Sequence, residues 1–194
     1  MSILLDHLSS VLVTAALALM LVATQVQGQR SAVERTALYA AKKHTLEVAD
    51  LLTRDLENLG LGMPYGQRIG SVRTDSSGRT RSFEFWRQDA GGSPVRIRYA
   101  LEEAGTVMAG GERVPLFAVQ RYQDGVASGG SLGAVRFFRI EVLDEAGAPV
   151  APTSAAARQV RIQLASVLAL AGEDGPSGLR QTSWGTTLRP YGLN

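Results

Sequence analysis

The chain of 194 residues has no cysteine, and only 2 of its 20 basic residues are lysine. Without cysteine it has no disulfide scaffold, no thiolate metal site and no thiol nucleophile. Histidine is almost as scarce, with His7 and His44 the two examples. If one helix carries both, they stand roughly 55 Å apart, and no Ser-His-Asp set is available to residues 45–194. The net charge is only +2, too small to argue for a nucleic-acid partner by itself. Acidic pairs such as Glu102-Glu103, Asp144-Glu145 and Glu173-Asp174 adjoin Gly or Pro in turn-like segments. None has the alternating spacing of a calcium loop, so Asp124 and Glu173-Asp174 are the residual candidates for a structural ion. Gly-rich stretches at Ala109-Gly110-Gly111 and Ser128-Gly129-Gly130-Ser131 lack the Lys-Ser/Thr of a phosphate loop. No catalytic residue, cofactor or metal is expected.

What is present is one long apolar run. Leu8 to Thr24 contains no charge, and Asp6 and His7 are the only polar interruptions back to Ile3. That length spans a bilayer as a helix if Asp6 lies near an interface. Nothing then stops the helix: Gly28 is a lone breaker and no proline occurs before Pro64. Val33, Ala37, Ala41, Val48, Leu52, Leu56 and Leu59 recur at helical spacing, widened by Leu38, Leu46, Ala49 and Leu51. Gly60, Gly62 and Pro64 supply the stop. The pattern predicts one helix of roughly 57 residues and about 85 Å, apolar all round in its first half and amphipathic in its second.

After Pro64 the periodicity switches to two. Segments 82–87 and 95–101 alternate across a turn at 89–94, which reads as a hairpin. Further strands are expected at 114–122, 135–142, 158–170 and 179–188, with a flexible loop at 123–130 and a turn at 144–149. With no helix between strands the sheet should be antiparallel. The expected fold class is α+β, a long N-terminal helix packed on a C-terminal antiparallel sheet. Its parts are a hydrophobic half-helix at 1–28, an amphipathic half at 29–62 and a sheet domain at 63–194.

This arrangement resembles the type IV pilin superfamily, including the pseudopilins of type II secretion. If Met1 is removed, Ser2-Ile3-Leu4-Leu5-Asp6 places an acid at the fifth position, where the family carries Glu. Leu51-Leu52-Thr53-Arg54-Asp55-Leu56-Glu57-Asn58-Leu59-Gly60 is similar to the helix end of minor pilins of the W and J types. The C-terminal Thr186 to Asn194 is similar to their closing strand. The resemblance implies a structural subunit that sits in the inner membrane before assembly, then in a periplasmic or extracellular filament. It also implies that Asp6 pairs with the N-terminal amine of a neighbouring subunit, offsetting the burial of both charges. Asp6, Leu8, Val11, Leu12, Ala15, Leu19 and Val22 are the expected assembly residues. The small residues Ser9, Ser10, Thr14, Ala16 and Ala18 would admit close helix packing.

Two other readings remain. Residues 2–26 could be the anchor or signal of a monomeric binding domain; Arg30, Arg35, Lys42 and Lys43 would hold the far side of an anchor in the cytoplasm. The 18 arginines, several alternating on expected strands (Arg79 and Arg81, Arg96 and Arg98), could form a basic face. A solvated face interspersed with Glu84, Glu141 and Gln163 accounts for them more simply, and a nucleic-acid partner is not expected. Phe85, Trp86, Phe137 and Phe138 are expected in the core.

Overall fold

A computed structural model of the chain describes residues 2–109, 111–129, 132–172 and 175–193. Its elements are one long helix, α1 (Ser2–Glu57), followed by eight strands and a terminal 3-10 turn, Tyr191–Leu193. The strands are β1 (Ile69–Thr74), β2 (Thr80–Gln88), β3 (Pro94–Ala109), β4 (Glu112–Gln123), β5 (Val126–Ala127), β6 (Leu132–Leu143), β7 (Gln159–Gly172) and β8 (Gly175–Leu188). All pair antiparallel in the order β1-β2-β3-β4-β6-β7-β8, with β5 added to β4. This is the expected α+β class.

At 56 residues the helix is about 84 Å long. No proline interrupts it, and its stop is conformational. Gly60 and Gly62 both have φ of +72°, a region in which a side chain on Cβ is strained. The Asn58 side chain donates to the Arg54 carbonyl at 2.8 Å, satisfying one orphan acceptor of the last turn.

Packing divides the chain between Ala40 and Ala41, inside this helix. In the unit 41–194, Val48, Leu52, Leu56 and Leu59 are at most 2% exposed and lie in the core. They share it with Phe83, Phe85, Ile97, Tyr99, Phe138 and Ile162. Burying each such aliphatic side chain contributes about 1.5–3 kcal/mol, so this stripe holds the helix end to the sheet. The upper part of the predicted stripe is different: Val33 is 68% exposed and Leu46 is 42% exposed.

The structure corrects several strand expectations. β1 has only two apolar residues, one Gly and two register shifts against β2, so no alternation marks it in the sequence. The expected loop at 123–130 contains β5, whose Val126 and Ala127 pair with Gln123 and Tyr122. Phe85 and Phe138 are core residues, but Trp86 and Phe137 are only half-buried. Phe137 and Phe138 are successive residues of β6 and face opposite sides of the sheet, so only one of them reaches the core.

Among the described residues β4 pairs with β6 at Phe117↔Val135 and Val119↔Leu132. Among the described residues, 112–116 pair with β3 alone, so a β3–β4 hairpin extends past the pairing with β6. The Thr80 hydroxyl accepts from the Ile140 amide at 2.9 Å, which brings the start of β2 against β6.

Candidate functional site

Two features stand apart from an ordinary core. The first is the N-terminal part of α1, described within the unit 1–40. Leu8, Val11, Leu12, Leu19 and Val22 are between 58% and 71% exposed, and Ala15 is exposed with them. Leu17, Met20 and Leu21 add to an apolar surface that runs all round the helix. This helix is long and apolar enough to cross a membrane. Six of the seven expected assembly residues therefore lie on one continuous helical surface. The seventh, Asp6, is in α1, and its side chain lies outside the described set.

The second feature is a buried charge cluster where the end of α1 meets the sheet. Asp55 is 4% exposed and Arg121 is 7% exposed. Arg121 donates from Nε to Asp55 Oδ2 at 2.6 Å and from Nη2 to Oδ1 at 3.4 Å, a fork-to-carboxylate geometry. Tyr99, fully buried on β3, donates its hydroxyl to the same Oδ2 at 2.8 Å. Arg87 Nη2 lies 3.9 Å from Oδ1. On the far side Arg121 Nη1 donates to the Ser128 hydroxyl at 2.6 Å and to its carbonyl at 3.3 Å, tying down the segment after β5.

The electrostatics follow from that geometry. Burial pushes the Tyr99 phenol well above its ordinary value, and the Asp55 charge and hydrogen bond push it further. Burial alone would lower the pKa of Arg121, but the bonds and charge of Asp55 outweigh it and the pKa rises. Tyr99 is thus held neutral and Arg121 charged. Arg87 Nε is a buried donor with no hydrogen-bond partner among the described residues.

Asp55 is absent from the predicted stripe, although its spacing, seven residues after Val48 and three after Leu52, falls on it and is the signal that could have found it. An acid there needs a buried cation. Which of the 18 arginines supplies it was not legible, because Arg121 lies 66 residues away. Thr45 on α1 makes a similar tie at 2.8 Å to the hydroxyl of Ser166 on β7, with both residues buried.

The remaining candidates are carboxylates engaged in turn and cross-strand hydrogen bonds. Asp124, at φ of +50°, accepts the Arg96 amide at 2.9 Å. Asp144 Oδ1 accepts the Ala148 amide at 2.8 Å, and Glu102 accepts the Tyr122 hydroxyl. Glu173-Asp174 lies outside the described residues. Among the described residues no group of three or more His, Asp or Glu is placed to hold a metal. Several of the strand arginines are paired: Arg139 with Glu141 at 2.6 Å, Arg161 with Glu141 at 3.6 Å, Arg79 with Asp75 at 2.9 Å. Compared with known protein families, characterised proteins and solved structures, the chain matches none of them.

Proposed function

We propose that the chain is a structural subunit of a pilus-like or pseudopilus filament, assembling through its hydrophobic N-terminal helix. The observation that carries the reading is the division of labour along a single helix. Its last turns are buried on an antiparallel sheet, while Leu8 to Val22 exposes apolar side chains on every face. In water such a surface is untenable, since each exposed Leu or Val forgoes about 1.5–3 kcal/mol of burial. Lipid satisfies it before assembly and neighbouring helices satisfy it afterwards. Small residues at Ser10, Thr14, Ala15, Ala16 and Ala18 let such neighbours approach closely. Asp6 would pair with the amine of the adjacent subunit and set the axial register.

The test is electron microscopy of material sheared from expressing cells, with mass spectrometry of the mature N-terminus. Helical fibres built from chains that retain the apolar segment are the expected result, and Asp6→Ala should abolish them while leaving the sheet domain folded. A soluble species starting near Gln29 would instead identify residues 2–26 as a signal and end the filament reading. Fibres of wild-type abundance from Asp6→Ala would remove the charge-pairing step.

A further inference from the structure

We infer that the cleft between the extended β3–β4 hairpin and β6 is a binding site for an acidic polysaccharide. The cleft opens beside residues 112–116 of β4, which precede the pairing of Phe117 with Val135. It is an open trough of about 550 Å³ whose charged lining is Arg79, Arg113, Arg136 and Glu112. A second depression of about 370 Å³ shares Phe137 and Gln181 with it and adds Gln163 and Ser183.

Charge selects an anion. Arg113 and Arg136 are exposed, and among the described residues neither enters an ion pair. Arg79 is paired with Asp75 at 2.9 Å and stacks over the Phe117 ring, so Arg113 and Arg136 carry the charge offered to a ligand. Planar guanidinium forks suit carboxylate and sulfate groups bidentately. The neutral part of the lining suits a sugar ring: the half-buried Phe137 offers an apolar face, and two amides and a hydroxyl match ring hydroxyls. Gly185 lines the second depression, and a Cβ there would come within 3.2 Å of the Ile162 carbonyl oxygen.

An extended acidic peptide is disfavoured by the strand edge beside the cleft. Arg113 and Pro115 lie on β4 opposite Met108 and Thr106 of β3. Pro115 has no amide to offer, which blunts that edge against an added strand. Recognition is left to side chains, and an open trough continued by a second depression fits a polymer better than a small enclosed ligand.

The experiment is isothermal titration of the full chain in a non-ionic detergent with alginate hexasaccharide. Dextran oligosaccharide is the neutral control, and a poly-glutamate peptide and a DNA duplex are run at the same ionic strength. Alginate binding that weakens with added salt, absent with dextran, is expected. Arg113→Ala with Arg136→Ala should weaken it at least tenfold, and Gln163→Ala several-fold, with the near-ultraviolet spectrum unchanged. Arg113→Lys with Arg136→Lys should retain part of the affinity, because charge persists without the fork. Undiminished binding in the double alanine variant overturns the assignment, as does no alginate binding or tighter binding of poly-glutamate or DNA.

Discussion

Replacing Asp55 by alanine should destabilise the sheet domain by about 3–5 kcal/mol, the range for removing one partner of a buried ion pair. The figure follows from what the carboxylate leaves behind. Arg121 is 7% exposed and loses both bonds of its fork, and the fully buried Tyr99 hydroxyl loses its acceptor. Arg87, already carrying an unsatisfied Nε, loses its nearest carboxylate. Equilibrium urea unfolding of the full chain in non-ionic detergent reads the change through Trp86 and Trp184, both in the sheet. By thermal unfolding the same loss is a fall of roughly 6–20 °C, at about 2–4 °C per kcal/mol for a chain of this size. Two companions separate charge from packing. Arg121→Met alone should cost as much, because it strands Asp55 in the core. Asp55→Leu with Arg121→Met should recover most of the loss, since an apolar pair has no desolvation penalty. A loss under about 1 kcal/mol for Asp55→Ala, or additive losses in the double variant, would refute the reasoning.

The raised pKa of Tyr99 predicts alkaline sensitivity. Above its ordinary value of 10.0 the unfolded phenol ionises while the folded one does not, so stability should fall as pH rises past 10. Tyr99→Phe should flatten that decline by up to about 1.4 kcal/mol per pH unit, a slope read from melts at pH 9–11. Leu56→Ala, at a fully buried position, should cost about 2–5 kcal/mol in the same unfolding assay. Glycine positions should diverge in sign. Gly192→Ala places a Cβ 2.1 Å from the Gly60 carbonyl carbon and should abolish the native fold, seen as lost near-ultraviolet dichroism. Gly28→Ala meets nothing within 4 Å and should stabilise α1 by roughly 1 kcal/mol, measured as helicity in detergent. Removing one hydroxyl of the Thr45–Ser166 pair should cost about 1–3 kcal/mol, and replacing both by apolar residues less than either alone.

The sequence by itself determined the elements whose signals are local. An uninterrupted helix needs only the absence of proline and an apolar pattern, so residues 2–57 were legible down to the glycine stop. The hairpin of β2 and β3 was equally plain, since alternation on either side of a turn is a property of neighbours. Tertiary structure decided what depends on partners far along the chain. Asp55 fits the spacing of the buried stripe but is absent from the predicted one, and only the register of β3 with β4, which sets Tyr99 opposite Arg121, revealed what receives its charge. The adjacent Phe137 and Phe138 read alike as core, but successive strand residues face opposite sides, and only the packing showed that Phe138 is on the buried one. The cleft beside Arg113 and Arg136 exists because residues 112–116 of β4 pair with β3 and, among the described residues, not with β6. No residue in either strand announces that parting. Local propensity is carried by residues a few positions apart, whereas burial, charge pairing and clefts are set by which distant strands come to lie together.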